Sequence, residues 1–366
     1  MSNNNSTNPT ITLLKRLSQA IGVSGYGRDN NIHTVVSTEM APYVDQIEKD
    51  HIGSVIGLKK GQQRHSPRRK IMLAAHLDEV GAIVTKIEQG FIRFGEVGGL
   101  DDRVLMAQEV TVHAKRDLLG IIGSTPPHLS RVSDRNTVNH TDMVIDVGLS
   151  PTEVTELVQV GDLVSFASPP SELLNGLLSA KSMDNRSSIA AMLICLQQLN
   201  KTAHEWDVYA VATADEEWGG YSGAATQAYA IHPDVALVID VTFADVPEFD
   251  IKINGGPTIA LGPSNHPVVR KRLLKSCDEL EMKYQIELLT TNAGSDAHAI
   301  EVSREGIPTV LISIPSRYMH TPIEVVHHKD VERVGRLMAH FISGLSTDFV
   351  DELVPPIKES TGNREE

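Results

Sequence analysis

The sequence contains little cysteine, few aromatic residues and no long run of apolar residues. Its 366 residues include two cysteines, Cys195 and Cys277, which lie far apart and outside any C-x-x-C pattern. We therefore expect no disulfide framework, and we expect a reducing, cytoplasmic location. Aromatic residues make up only 4% of the chain, so we expect a core built mainly from aliphatic side chains and alanine. No apolar run approaches the ~20 residues of a membrane-spanning helix, and the first residues predict neither a signal peptide nor a membrane partner.

Positive charge is also scarce. Lysine and arginine number 33 against 47 aspartate and glutamate residues, which gives a formal net charge of −14. Proteins that bind the phosphate backbone of nucleic acids need a basic surface, so we expect no nucleic-acid partner. Basic residues do cluster between residues 59 and 70, but we interpret this segment as a solvated turn.

The pattern of apolar residues changes twice along the chain. Between residues 81 and 170, short β-rich segments alternate with glycine, proline and aspartate, which is typical of a small barrel or sandwich. After residue 173, long helices alternate with buried strands, which indicates an α/β fold with a largely parallel sheet covered by helices. A strand predicted at 71–75 precedes the β-rich block, so the block is predicted to be inserted. We therefore expect a discontinuous catalytic domain of residues 1–80 and 171–366, with an inserted β-rich domain of residues 81–170.

Histidine and carboxylate side chains stand at the ends of four predicted strands and at the start of one predicted helix. They are His76 with Asp78, Glu216 with Glu217, Asp240, His320 and, on the helix, Asp184. Ligands bind at the carboxyl edge of an open α/β sheet, so we expect these side chains to lie together. Histidine with aspartate or glutamate, and no thiolate, is the ligand set of a zinc, cobalt or manganese site. Taken singly, each residue is better explained as a helix cap or a surface group, so the prediction depends on their shared position.

Other catalytic chemistries have less support. A serine nucleophile favours a G-x-S-x-G turn between a strand and a helix, whereas the nearest match, residues 22–25, follows a predicted helix. The sequence contains no phosphate-binding loop with its lysine and no G-x-G-x-x-G after a strand.

Five sequence strings occur in the order typical of one family. They are AAHLDEVG at 74–81, KSMDNR at 181–186, DEEWGG at 215–220, VIDVT at 238–242 and RYMHTPIEV at 317–325. With these strings the chain resembles the glutamyl-aminopeptidase or tetrahedral-aminopeptidase family of dinuclear metallopeptidases, some of whose members are labelled as cellulase-like endoglucanases. The resemblance extends over nearly the full length. It implies a zinc-exopeptidase-like α/β fold with an inserted small β-barrel.

The resemblance also implies a site for two divalent metal ions per subunit, zinc or cobalt, or manganese. The implied ligands are His76 and Asp240 for one ion, Glu217 and His320 for the other, and Asp184 bridging both. Asp78 would accept the free ring N–H of His76, and Glu216 would be the general base. A hydroxide shared by the two ions would then attack the N-terminal peptide bond of short peptides. The ligand carboxylates, the ions and the hydroxide sum to zero charge, which avoids most of the desolvation penalty of unpaired buried ions.

Self-association is a further implication of the resemblance, as a dodecamer built from dimers through the inserted block. Short strands with many edges favour contacts there, because exposed edges are normally paired or covered. The loop after Glu217 is one residue longer than the usual family version and lacks its basic residue. We therefore expect a changed wall of the substrate pocket.

Alternative functions stay open from the sequence alone. A glycoside hydrolase would use Glu216 and Glu217 as its acid/base pair and would need no metal. A related metal-dependent deacylase or carboxypeptidase would tolerate a substrate with a blocked N-terminus. A binding subunit would retain the site without its activity.

Overall fold

A computed structural model describes residues 8–25, 31–64, 66–125, 139–291 and 294–354. These residues form a large mixed sheet with helices on both faces, and a separate closed barrel of six strands. The two cysteines are both buried and free. Within the described residues, none of the helices has the length and apolarity that are needed to span a membrane.

The helices and strands alternate along most of the described chain. The α-helices are α1 (Pro9–Gln19), α2 (Asn31–Met40), α3 (Asp102–Leu105), α4 (Pro151–Leu157), α5 (Met183–Leu199), α6 (Ser222–Ile231), α7 (Pro267–Glu279), α8 (Asp296–Glu301), α9 (His328–Ser343) and α10 (Phe349–Leu353). Short 3-10 helices lie at Ala41–Tyr43, His140–Asp142 and Leu174–Gly176. The strands of the large sheet are β1 (Gln46–Lys49), β2 (Val55–Lys59), β3 (Lys70–His76), β10 (Ser171–Glu172), β11 (Leu177–Ala180), β12 (Asp207–Thr213), β13 (Val235–Phe243), β14 (Thr258–Leu261), β15 (Gln285–Leu288), β16 (Thr309–Arg317) and β17 (Glu324–His327). The barrel contains β4 (Gly81–Glu88), β5 (Phe91–Val97), β6 (Glu109–His113), β7 (Asp117–Ser124), β8 (Met143–Asp146) and β9 (Leu163–Phe166).

The centre of the large sheet is parallel and its flanks are antiparallel. The order is β1-β2-β12-β3-β13-β16-β17-β11-β10, with β14 beside β16 and β15 beside β14. Strands β12, β3, β13 and β16 run parallel to one another, so their carboxyl ends meet at one edge. The predicted α/β fold with an inserted small barrel is therefore confirmed, and strands β2 and β3 do precede the barrel in the chain.

The sequence of β3 explains why this strand lies at the centre of the sheet. Its residues Ile71, Leu73 and Ala75 face the larger core, which is shared with α1, α5 and α9. Met72 and Ala74 face the opposite core, beneath α6 and α8. A strand covered on both faces reads as a continuous apolar run, as this segment does.

Helices α5 and α9 pack closely against one another on the sheet. Val331, Val334, Leu337 and Phe341 recur at helical spacing on α9 and are fully buried. Gly335 allows the close approach, because a Cβ atom there would lie 2.7 Å from the main-chain oxygen of Ala191.

The barrel has a core of its own. Its strand order, β4-β5-β8-β7-β6-β9, closes on itself, so the free strand edges that we expected from the short segments are absent from its described strands. Strand β7 alternates between buried and exposed residues, and its outward-facing Leu119 and Ile121 are 63% and 53% exposed. The assignment of residues 81–170 to a separate domain stays a prediction.

Candidate metal centre

Six of the seven side chains predicted for the site line one cavity of about 360 Å³. They are His76 at the end of β3, Glu216 and Glu217 in the loop after β12, Asp240 in β13, His320 in the turn between β16 and β17, and Asp184 at the start of α5. Strands β12, β3 and β13 are neighbours in the parallel part of the sheet. The seventh residue, Asp78, is buried behind them.

The start of α5 is shaped to hold Asp184 over this edge of the sheet. Ser182 adopts a left-handed conformation with φ of 62°, and Asp184 itself has a non-helical ψ of 100°. The side-chain amide of Asn185 donates a hydrogen bond to the main-chain oxygen of Ile239, at 2.9 Å. Because Ile239 precedes Asp240, this bond keeps the two carboxylates together.

The two carboxylate oxygens of Asp184 face two different histidines. Its Oδ1 lies 3.0 Å from Nε2 of His76, and its Oδ2 lies 3.5 Å from Nε2 of His320. Asp240 Oδ1 is 3.7 Å from His76 Nε2, and Glu217 Oε2 is 3.3 Å from His320 Nε2. The donor atoms therefore form two groups of three, His76–Asp184–Asp240 and Asp184–Glu217–His320, that share Asp184.

Main-chain carbonyl oxygens orient both histidine rings. Nδ1 of His76 lies 3.2 Å from the oxygen of Asp78, and Nδ1 of His320 lies 2.9 Å from the oxygen of Gly99 in the barrel. These contacts assign the ring proton to Nδ1, so the Nε2 lone pair of each ring is directed into the site. A neutral imidazole in this tautomer is the form that binds a metal ion.

The donor set fits divalent cations. Glu217 Oε1 is buried and has no hydrogen-bond partner among the residues that the structure describes, and a buried carboxylate oxygen without a partner is rare unless an ion completes it. Burial raises the pKa of Glu217 well above its usual range, and the charge of Asp184 adds to this effect. Burial likewise raises the pKa of Glu216 to about 9, with a further contribution from Asp240. Cations among these carboxylates would relieve their repulsion and lower both pKa values.

For the two histidines, burial and the neighbouring carboxylates shift the pKa in opposite directions. Burial lowers the pKa of His76, but carboxylates led by Glu216 and Asp184 outweigh burial and raise this pKa well above its usual value. Burial also lowers the pKa of His320, and Asp184 again raises it overall. The site as a whole is therefore one of excess negative charge.

Asp78 contacts the loop after β12 more closely than it contacts His76. Its carboxylate accepts hydrogen bonds from the main-chain N–H groups of Glu216 and Glu217, at 3.2 and 3.1 Å, and from the hydroxyl of Ser24. Its Oδ1 lies 3.7 Å from Nδ1 of His76, farther than the main-chain oxygen of the same residue. We expected the side chain of Asp78 to accept the ring N–H of His76, but the nearer acceptor is the main-chain oxygen of Asp78. The side chain of Asp78 instead positions Glu216 and Glu217.

Glu324 is a further buried carboxylate beside the site. Its Oε2 accepts a hydrogen bond from the main-chain N–H of Asp184 at 2.8 Å, and its Oε1 accepts one from that of His320 at 2.7 Å. Burial raises the pKa of Glu324 well above its usual range, with Asp184 adding to this effect. Glu324 therefore connects the main chains of two candidate ligands that belong to different elements.

Positively charged side chains lie on the far side of the site, beneath the start of α5. Glu79 accepts hydrogen bonds from Lys181, from the hydroxyl of Ser182 and from the main-chain N–H of Gly22. The guanidinium of Arg186 is fully buried, 3.8 Å from Glu79. Burial raises the pKa of Glu79, but the charges of Lys181 and Arg186 outweigh burial and lower it.

The cavity continues past the candidate ligands along the sheet. Its wall there contains Leu289, Leu311 and the stacked pair Phe243 and Phe249, whose ring centroids are 5.9 Å apart. Glu287 of β15 also lines this part and is only 8% exposed.

Comparisons with known proteins agree with this geometry. The model of the M42 glutamyl aminopeptidase family matches residues 53–337. The chain belongs to the M42 family. A lysyl aminopeptidase of Pyrococcus furiosus is 32% identical to it over 89% of this chain and 94% of the relative. Its fold is similar to that of a TET aminopeptidase from a marine sediment thaumarchaeon, with a TM-score of 0.88 and 32% identity over 95% of this chain and 100% of the other. The TET1 peptidase of Pyrococcus horikoshii, which can assemble into a tetrahedron or a large octahedral shell, gives a TM-score of 0.80 and 30% identity over 92% of this chain and 100% of the other.

Membership of the M42 family confirms the predicted family and the prediction of a metal-dependent aminopeptidase. The individual residue roles stay predictions, although six of the seven residues line one cavity. Sequence reasoning did not single out Glu324, Glu79, Lys181 or Glu287. The first three lie inside the strings RYMHTPIEV, AAHLDEVG and KSMDNR, so attention to every charged residue of those strings would have found them, whereas no local signal distinguishes Glu287.

Proposed function

We propose that the chain removes N-terminal residues from short peptides with two divalent metal ions, zinc, cobalt or manganese. In this proposal His76 and Asp240 would hold one ion, Glu217 and His320 would hold the other, and Asp184 would contribute to both. The observation that carries the proposal is the arrangement of Asp184, whose two oxygens each face the Nε2 atom of a different histidine, at 3.0 and 3.5 Å. A carboxylate shared between two ligand groups in this way supports a pair of ions rather than one.

The ions, when bound, would lower the pKa of a shared water molecule and polarise the carbonyl group of the scissile bond. Glu216 is the residue available to handle the proton. It lines the cavity, and its Oε2 lies 3.9 Å from Nε2 of His76. We assign to Glu216 the removal of a proton from the attacking water and its return to the leaving amine. Cations nearby would lower its raised pKa and keep it ionised for the first of these steps.

Asp78 supports this chemistry indirectly. Its carboxylate accepts the N–H groups of both Glu216 and Glu217, so the proposed base and a proposed ligand share one support. Their separate functions are then set by side-chain direction. Glu217 Oε2 faces His320, whereas Glu216 Oε2 faces His76.

Two glutamine variants test these roles. Glu216→Gln keeps the shape of the side chain but cannot accept a proton, so it is expected to bind both metals and to lose about 10²–10⁴-fold in kcat. Glu217→Gln is expected to lose metal content together with activity. Elemental analysis and steady-state kinetics on aminoacyl chromogenic substrates measure both effects, and Glu305→Gln, an exposed residue, is the control for the change of charge. Metal loss in Glu216→Gln with retention in Glu217→Gln would reverse the assignment.

Two further assays, chelator treatment and substrates with a blocked N-terminus, separate the alternatives. A glycoside hydrolase would keep its activity after removal of metal by a chelator, and a deacylase or carboxypeptidase would cleave substrates with a blocked N-terminus. The family match favours the aminopeptidase over both.

We also propose that the chain assembles through its barrel into a dodecamer built from dimers. The TET1 peptidase of Pyrococcus horikoshii has been solved as a dodecamer and can assemble into a tetrahedron or a large octahedral shell. Because the barrel is closed, strand edges do not support this proposal, but the exposed apolar residues Leu119 and Ile121 on β7 do. The cytoplasmic location stays a prediction.

A further inference from the structure

The part of the cavity beyond the candidate ligands contains a buried carboxylate that has no cationic partner among the described side chains. Glu287 is 8% exposed and lines the cavity together with the apolar wall described above. Its Oε1 accepts a hydrogen bond from the hydroxyl of Thr242 at 2.5 Å, and the hydroxyl of Ser313 lies 3.4 Å from its Oε2. Among the described residues, no lysine, arginine or histidine forms an ion pair with Glu287, and no lysine or arginine lines the cavity.

A buried carboxylate that has only hydroxyl partners is incompletely satisfied. Its two oxygens offer about four acceptor positions, and two hydroxyl groups occupy two of them. Burial of a carboxylate without a counter-ion is unfavourable, and a cation that reaches it gains a charge-assisted hydrogen bond in a low-dielectric environment. The site is therefore suited to an incoming ammonium or guanidinium group.

The position of Glu287 relative to the candidate metal centre sets the length of the group that can reach it. Thr242, its hydrogen-bond partner, lies on β13 two residues after Asp240, and two strand residues span about 6.6 Å. The four-carbon stem of lysine can cover such a distance. A substrate whose N-terminal residue is held at the metal ions can thus direct its side chain along the sheet toward Glu287.

The wall of the cavity suits the stem of such a side chain. Leu289 and Leu311 provide apolar surface, and the Phe243–Phe249 stack adds aromatic surface. Long basic side chains pack their methylene groups on apolar surface while the charged end stays with polar partners. An acidic side chain in the same place would meet the charge of Glu287 with no cation to offset it.

We propose that Glu287 determines the substrate class of this enzyme by binding the ammonium or guanidinium group of an N-terminal lysine or arginine. The proposal rests on the proposed aminopeptidase function. It assigns the cavity beyond Asp240 to the side chain of the residue that is removed, and it makes basic residues the preferred N-termini.

The experiment compares kcat/KM for lysyl, leucyl and glutamyl chromogenic substrates in the metal-loaded full chain. The wild type is expected to prefer lysine over both others. Glu287→Gln is expected to lower kcat/KM for lysine by about 10- to 100-fold, the effect of removing one buried charged contact, with leucine changed by less than about threefold. Glu287→Asp, which keeps the charge on a shorter stem, is expected to restore part of the preference for lysine. Asp250→Asn is the matched control, since Asp250 is fully exposed and does not line the cavity.

A second measurement does not depend on turnover. Free lysine is expected to inhibit the wild type more strongly than norleucine, which has the same stem without the ammonium group, and Glu287→Gln is expected to remove this difference. An unchanged ratio of lysine to leucine activity in Glu287→Gln would overturn the inference. An equal loss for all three substrates would also overturn it, because Glu287 would then contact the α-amine that every substrate shares. Absence of activity on every aminoacyl substrate in the wild type would instead refute the proposed function itself.

Discussion

Replacing Glu324 by glutamine tests how much a residue that supports the candidate metal ligands, without being a ligand itself, contributes to metal binding. The carboxylate accepts the N–H groups of Asp184 and His320 at 2.8 and 2.7 Å, one with each oxygen. Glutamine has the same shape but only one oxygen, so its NH₂ group must face an N–H donor. One charge-assisted hydrogen bond is lost, which contributes about 1.5–3 kcal/mol.

The loss is expected to appear mainly as weaker metal binding. Residues that support metal ligands typically change metal affinity by about 10- to 100-fold when they are replaced, which agrees with the free energy of one such bond. Because Asp184 belongs to both candidate ligand groups, its displacement is expected to weaken the binding of both ions. Displacement of His320 is expected to weaken the binding of only one. The stoichiometry at limiting metal therefore reports which of the two bonds is lost.

The assay is competition for metal between the metal-free variant and a chromophoric chelator, with thermal unfolding of the metal-free form in parallel. Saturating metal is expected to restore activity to within a few-fold of the wild type, which a variant with a damaged fold would not show. Glu305→Gln again controls for the change of charge on an exposed residue. Metal affinity within twofold of the wild type, with or without loss of activity, would refute the reasoning.

Two further predictions concern pH and assembly. Metal affinity is expected to rise with pH, because the raised pKa values of His76, His320 and Glu217 mean that these groups keep their protons to higher pH than usual. The metal must displace these protons, at about tenfold in affinity per proton and pH unit. Calorimetry in buffers of different ionisation enthalpy measures the released protons, and an affinity independent of pH would contradict the prediction. The double replacement Leu119→Lys and Ile121→Lys is expected to leave the barrel folded, since both side chains face outward, but to prevent assembly by placing charge in an apolar contact. Light scattering against the wild type tests this, and an unchanged particle mass would rule β7 out as the contact surface.

The parts of the fold that could be predicted are those whose pattern is local. The continuous apolar run of β3 and the helical spacing on α9 both report directly which faces are covered. Helix α6 (Ser222–Ile231) was not predicted, because its small residues, such as Ala224 and Ala228, give a weak contrast between its buried and exposed faces. The bend at the start of α5, with Ser182 in a left-handed conformation, also has no local signature.

Some residues of the candidate site could likewise be predicted from local sequence, and others could not. Residues at strand ends could be found, because parallel strands deliver their ends to a common edge. Glu324 acts on Asp184 from 140 positions along the chain, and only the pairing of β11 with β17 brings the two together. Glu287 is buried because β15 joins the sheet beside β14, and nothing in the four residues of that strand predicts the cavity that it faces.

The hydrogen bond from His320 to Gly99 connects the inserted block to the candidate metal centre. Gly99 lies in the turn after β5, and a Cβ atom there would sit 3.2 Å from Nδ1 of His320, so a larger residue would press on the histidine ring. An exchange of barrels between family members would therefore have to keep this turn unchanged. A substitution in this turn of the inserted block is therefore expected to act on the candidate metal centre through the ring of His320.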